Sequence, residues 1–349
     1  MQSGFFLGAN SKDGFSSFYH TLSQSVEKLY IIKGCPGGGK STFMRRVEQL
    51  VESPSERIYC SSDPDSLDAV IFPDRRIALV DGTAPHVVEP TFALAVEEYI
   101  NLGVFADTSA LPKERIIETT RRYKRKFSRV YRLTSCAGTL RKDLHGIALG
   151  GVDTDRITKK AKGILSRELR PTGRTGGEAK RFLSAISPSG FLTLFDTVKA
   201  YADRVYELED SYHLAAPLFE EIARAAVGLG HRVYTCYSPL CPETPEHLIL
   251  PDARLAFVTS NPSQPYPYTP TRRIRIDAML DPEYRKRNRG KLKFTAALSK
   301  ELLDAACEEL AEAKRIHDEL EALYHPAIRF DELLQAAERL AETIRGISH

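Results

Sequence analysis

Apolar positions along this chain fall into two spacings. Short apolar runs of strand length stand at Leu29 to Lys33, Arg57 to Ser61 and Arg76 to Val80. Between the first two, a segment with helical spacing extends from about Lys40 to Glu52. Strands alternating with helices predict an α/β unit built on a parallel sheet. Beyond it, helical sequence rich in Lys and Arg reaches from about Pro112 to Arg170, with a counterpart from about Leu292 to Ile344.

The pattern occurs twice. FFLGANSKDGF (Phe5 to Phe15) recurs as RFLSAISPSGF (Arg181 to Phe191), a shift of about 176 residues. The same shift pairs Tyr30 with Tyr206, Phe43 with Phe219 and Cys60 with Cys236. Slightly farther on, VIFPDRRIALVDG (Val70 to Gly82) matches LILPDARLAFVTS (Leu248 to Ser260). A tandem duplication follows: residues 1–170 form one α/β unit with a helical appendage, and residues 179–349 form a second. The Gly- and Pro-containing stretch 171–178 (PTGRTGGE) links them.

A length of 349 residues agrees with two units. The apolar share of 42% and charged share of 27% are those of a globular protein. No apolar run approaches the roughly 20 residues that span a bilayer, which argues against a membrane protein. The start MQSGFFLGANSKDGF lacks the basic and apolar segments of a secretory signal. Six dispersed cysteines form no disulfide framework, so a reducing, cytoplasmic location is expected. Cys236 and Cys241 lack a second Cys/His pair at zinc spacing and read as packing residues. A net charge of +3 gives no general argument for nucleic acid.

One segment carries strong chemistry. Gly34 to Ser41, GCPGGGKS, satisfies the spacing G-x-x-x-x-G-K-[ST] between a strand and a helix. Gly34, Gly37, Gly38 and Gly39, with Pro36, let the backbone curl so that N–H groups converge on a phosphate. Lys40 supplies a cation, and Ser41, followed by Thr42, a hydroxyl for magnesium. The positive end of the helix dipole adds to this. An acid at the end of a neighbouring strand is the usual second magnesium partner, and Asp81 ends Ile77 to Val80. Lys40 and Asp81 are the expected catalytic pair, with ATP and Mg²⁺ as ligands. Gly82 stands where an acid would polarise water, so hydrolysis is expected to be slow.

These residues resemble a bacterial family of tandem P-loop proteins labelled ATPase or nucleotide-kinase-like. The resemblance rests on GCPGGGKS, CSSDPDSLDAVIFPD and VDGTAPH, and continues through FLSAISPSG to HDELEALYHPAIRF. It implies ATP binding by a P-loop NTPase and no particular substrate. The chain departs from it where members keep a second glycine-rich loop, for here EDSYHLAAP stands instead. Ala216 falls opposite Lys40, Pro217 opposite Ser41 and Thr259 opposite Asp81, while Glu207, Glu209 and Asp210 would repel phosphate. A degenerate second loop, and one triphosphate per chain, are therefore expected. The second half would still fold, with a strand from Arg204 to Leu208 and a helix from Pro217 to Leu229. It would pack on the first or present Arg272, Arg273 or Arg275 to its nucleotide.

Other groups admit two readings. Cys60, Ser61, Ser62, Asp63 and Asp65 hold magnesium or a phosphoryl acceptor, or form a turn capping a helix. His86 orients a water or phosphate, or is a solvated loop residue. Cys35, inside the loop near a helix N-terminus, is either a thiolate-prone residue or a neutral filler. Arg121 to Arg132 carries Tyr123, Phe127 and Tyr131 at four-residue spacing, an apolar stripe opposite a cationic face. That face is solvated, turned to the nucleotide, or bound to RNA or DNA. Three functions follow: a slow Mg-dependent ATPase acting as a switch, a nucleotide or small-molecule kinase with its acceptor near Asp63 and His86, or a nucleic-acid-associated module.

Overall fold

The computed structural model describes residues 4–347. Met1 to Ser3, the first residues of the segment read for a signal, and the last two residues lie outside that range. The first half begins with β1 (Gly4–Phe6), the hairpin β2 (Gly8–Ser11) and β3 (Gly14–Ser17), and the short α1 (Leu22–Ser25). Then come β4 (Lys28–Lys33), α2 (Lys40–Val51), β5 (Glu56–Cys60), β6 (Asp63–Phe72), β7 (Ile77–Asp81) and β8 (Glu97–Asn101). Two helices close the half, α3 (Lys113–Leu149) and α4 (Thr154–Glu168).

The second half repeats this order. It runs through β9 (Gly177–Arg181), the hairpin β10 (Ser184–Ser187) and β11 (Gly190–Thr193), α5 (Phe195–Tyr201), β12 (Arg204–Glu209) and α6 (Ala216–Gly228). β13 (Arg232–Tyr237), β14 (Pro245–Leu250), β15 (Leu255–Ser260), β16 (Arg272–Arg275), α7 (Pro282–Tyr324) and α8 (Phe330–Gly346) complete it. The sheets have the same strand order, β1-β5-β6-β7-β4-β8 in one and β9-β13-β14-β15-β12-β16 in the other. The duplication read from the sequence is therefore a duplication of topology.

Each sheet is parallel except at one strand. β6 runs against both β5 and β7, and β14 against both β13 and β15. This corrects the expectation of a purely parallel sheet. Only Ser61 and Ser62 join β5 to β6, too short a link for the crossover that parallel strands need. The SSDPDS stretch caps no helix: from Asp63 on it is strand. Its inner residues Ala69, Val70 and Phe72 are fully buried.

The halves meet about an approximate two-fold axis. Phe6 and Phe182, equivalent in the repeat, exchange backbone hydrogen bonds of 2.9 and 2.8 Å as an antiparallel bridge. Asn10 Nδ2 donates to the carbonyl of its own counterpart, Ile186 (3.2 Å). The helices α3 and α7 pack antiparallel, with Arg122 reaching Glu319 and Tyr284 reaching the Ile147 carbonyl. Their terminal partners are exchanged: α4 packs on α6, and α8 packs on α2. Packing thus crosses the division read at residues 171–178. A buried ion pair also crosses it, Arg181 Nε to Glu56 Oε1 at 2.6 Å, with Tyr234 donating to the other Glu56 oxygen.

Helix–sheet packing in each half, the exchanged helices and the α3–α7 pair bury three apolar clusters. Among the described residues no helix is long and apolar enough to cross a membrane.

Because Arg181 is 8% exposed and Glu56 3%, truncating the acid would strand a buried cation. Glu56→Ala should lower unfolding free energy by about 3–5 kcal/mol in chemical denaturation. A change below about 1 kcal/mol would show that water reaches Arg181 and that the pair does not hold the halves together.

Candidate functional site

Register brings the loop and the acid together. β4 lies between β7 and β8, parallel to both, and Ile32 sits opposite Asp81. The chain leaving β4 at Lys33 and the chain leaving β7 at Asp81 therefore emerge side by side, at the carboxyl ends of parallel strands where ligand crevices form. Gly34 to Gly39 then folds back to start α2. Gly37 and Gly39 adopt φ of 63° and 80°, open to glycine and strained for other residues. At Gly38 a Cβ would meet the Cys35 carbonyl at 2.9 Å. The glycines are thus required by conformation and by contact.

Lys40 and Ser41 open α2. Lys40 Nζ donates to the Cys35 carbonyl (3.0 Å) and lies 3.7 Å from Asp81 Oδ2. The other Asp81 oxygen accepts from the backbone N–H and hydroxyl of Thr83 (2.8 and 2.6 Å), which fixes the carboxylate. Ser41 Oγ accepts from Leu67 N (3.0 Å). Gly34, Pro36, Gly37, Gly38, Gly39, Lys40, Ser41, Thr42 and Asp81, all singled out in the sequence, line one cavity of about 1110 Å³. At Gly82 a Cβ would lie 2.4 Å from Ile31 Cγ2, so packing leaves no room there for the acid of a fast hydrolase.

The second half supplies the far wall. Lys314, His317, Asp318 and Glu321 of α7 face the loop, with His325 and Phe330 beside them. Glu321 Oε1 accepts a hydrogen bond from the Gly37 N–H (3.2 Å), so a carboxylate from α7 occupies a loop donor. Lys314 lies 3.6 Å from Asp63. Sequence reasoning missed these residues. For His317 to Phe330 the signal was HDELEALYHPAIRF, recognised there as a stretch of resemblance and not as part of a site; Lys314 lies just before it.

Of the two roles expected for the second half, packing on the first is seen, whereas Arg272, Arg273 and Arg275 are not in the lining of this cavity. They lie on β16, paired in register with β12, and Arg273 is held by Glu207 (2.8 Å) and Glu209 (3.4 Å). The lysine that the second half brings to this cavity is Lys314, beside Asp63.

Deeper in the cavity Cys60, Asp68 and His86 cluster with their ligating atoms within 4.8 Å of one another. Asp68 accepts from the Tyr19 hydroxyl (2.7 Å) and lies 3.3 Å from His86 Nε2. His86 is buried, not a solvated loop residue, and its Nδ1 has no partner. Burial pushes the His86 pKa down, but the Asp68 carboxylate, helped by Asp81, outweighs it and the net shift is upward. The Cys60 thiol is driven well up by burial and by Asp68. Cys35 is also pushed up by burial, more than Lys40 lowers it, so the thiolate-prone reading is overturned. Of the polar group after β5, Cys60, Ser62, Asp63 and Asp65 line the cavity, whereas Ser61 is buried outside it.

Three of the seven cations in the Arg121 to Arg132 run pair with acids of α7. Arg122 pairs with Glu319, and Lys126 and Arg129 share Glu309. Its aromatic stripe turns inward: Tyr123 lies 5.1 Å from the His317 ring and, with Phe127, lines the cavity.

In the second half the loop after β12 closes on itself. Asp210 accepts from the N–H groups of Leu214 (2.8 Å) and Ala215 (2.9 Å), the positions equivalent to Gly38 and Gly39. Burial raises its pKa to about 6. His213 keeps the positive φ of Gly37, at 59°. An internal carboxylate fills the place of an incoming anion.

No family model matches the chain, and comparisons with curated proteins and with solved structures found no match either.

The His86–Asp68 contact gives a pH test. With the folded pKa raised above 6.5, the pair stabilises the fold fully below about pH 6.5 and loses that contribution as pH rises through the raised value. The unfolding free energy of the parent minus that of His86→Asn should therefore shrink between about pH 6 and about pH 9. A difference that is flat or grows over this range would refute the charged pair.

Proposed function

We propose that the chain is a P-loop nucleoside-triphosphate-binding protein that takes one Mg–ATP per chain at Gly34 to Thr42. It hydrolyses the nucleotide slowly and uses the closure of the second half over the site as a switch. The observation that carries this reading is the meeting of a glycine loop in left-handed turns, Lys40 at the start of a helix, and a buried Asp81 3.7 Å from the lysine. Backbone donors and a cation on one side and a fixed carboxylate on the other suit a metal-bound polyphosphate.

The donor set fits magnesium. Ser41 Oγ and Asp81 Oδ2 are hard oxygen donors at the rim of a wide cavity, and magnesium keeps several waters while using one or two protein oxygens. When bound there it would neutralise phosphate charge. Lys40 would hold the β- and γ-phosphates, Thr83 would keep Asp81 oriented, and Lys314 would add a second cation from across the cavity. The left-handed Gly37 leaves its N–H free to turn from Glu321 to a phosphate oxygen.

A second reading, a kinase, draws on one observation: the Asp68–His86 pair lines the same cavity. In that reading His86 in its neutral form, populated above its raised pKa, takes the proton of an acceptor hydroxyl as that oxygen takes the γ-phosphoryl group and ADP departs. ADP release that depends on an added acceptor would select it, and release without one would select the switch.

Lys40→Ala should cost roughly tenfold or more in triphosphate affinity with circular dichroism unchanged. Titration calorimetry of the parent should give a stoichiometry near one, because Asp210 fills the second loop. A folded variant that binds as the parent does would remove Lys40 from the site, and a stoichiometry near two would overturn the single-site claim.

Glu321 competes with phosphate for the Gly37 donor. Glu321→Ala should raise triphosphate affinity by about three- to tenfold, since a carboxylate that close repels the incoming anion. Unchanged or weaker binding would mean that Glu321 moves away at no cost or contacts the ligand favourably.

A further inference from the structure

We propose that the first turns of α7, Tyr284 to Lys293, form a sequence-independent docking surface for a nucleic-acid strand, gripped through its sugar–phosphate backbone. Within these ten residues Arg285, Lys286, Arg287, Arg289, Lys291 and Lys293 occur with no acid. The antiparallel pairing explains why they stay uncompensated. The basic half of α3 lies along the acidic half of α7 and finds Glu309 and Glu319. The basic half of α7 lies instead along α3 from Ala137 to Leu149, as the Tyr284–Ile147 and Ser299–Ala137 contacts show, and Asp143 is the only acid in that stretch.

Among the described residues, Lys286, Arg287, Arg289, Lys291 and Lys293 make no ion pair or side-chain hydrogen bond, and Arg285 feels only Asp277. Cations at the N-terminal end of a helix also oppose its dipole, so the fold gains nothing from them there. Their placement is that of a surface for an outside anion.

The shape fits an extended polyanion better than a compact phosphate. Arg285, Arg289 and Lys293 recur every four residues along one stripe of about 12 Å, the length over which a strand presents several phosphates. Arg287 and Lys291 form a second stripe around the helix. The first stripe borders an open cavity of about 920 Å³ between α7 and the closed loop of the second half. Arg141 and Lys300 also line it, and Tyr212 offers an aromatic ring of the kind on which bases stack. The surface belongs to the half whose loop is plugged by Asp210, so it is separate from the nucleotide cavity.

The full chain, titrated into a fluorescent single-stranded 20-mer of RNA or DNA, provides the test by anisotropy. Binding near 50 mM salt is expected, weakening linearly on a log–log plot as salt rises. Arg285→Ala with Arg289→Ala and Lys293→Ala should lower affinity at least about tenfold and flatten the slope by about 2. Lys113→Ala with Arg115→Ala, exposed cations at the start of α3, should change neither. Absence of binding by the folded parent, a triple variant equal to the parent, or an equal loss in the α3 control would each overturn the proposal. So would binding to phosphatidylserine vesicles without binding to either oligonucleotide.

Discussion

The antiparallel pairing of α3 with α7 sets the geometry on which the rest depends. It places the two sheets about an approximate two-fold axis, sealed at its centre by the Phe6–Phe182 bridge. It also sends the end of each long helix over the loop region of the opposite half. Glu321 therefore meets the glycine loop and Lys314 lines its cavity, while Arg141 and Lys142 line the cavity at its altered counterpart. Each half completes a crevice that the other half's sheet begins.

Both loops also obey one electrostatic rule. Backbone N–H groups that converge in a tight turn need an anion, and each half provides a carboxylate. In the second half it is Asp210, four and five residues from its donors, buried and fixed within the same loop. In the first it is Glu321, contributed from a distant helix and only partly buried. A carboxylate held by its own loop moves with its donors; one carried by another element does not. This difference separates a loop closed by its own residue from one whose donor is met from another element.

The charge pattern follows from the same pairing. The cations of Arg121 to Arg132 drew attention in the sequence because their neighbours in the chain are basic. In the folded protein Glu309 and Glu319, nearly two hundred residues away, take up Arg122, Lys126 and Arg129. The run at Arg285 to Lys293 escaped notice, and among the described residues none of its six cations has an ion-pair partner. A charge run acquires a meaning only once the opposing surface is known.

The sequence by itself determined the duplication, the glycine loop with Lys40 and Ser41, Asp81 at a strand end, and the loss of that chemistry in the second copy. These are local: a positive φ calls for glycine, a helix start places the next side chain, and a missing lysine is visible without coordinates. Tertiary structure alone decided that β6 and β14 run antiparallel, that α4 and α8 change partners, and that His86 is buried against Asp68. It also decided that Lys314, and not Arg273, lines the loop's cavity. Each of these depends on contacts between residues far apart in the chain, chosen by burial and register, and a single sequence carries no mark of which distant partner will supply them.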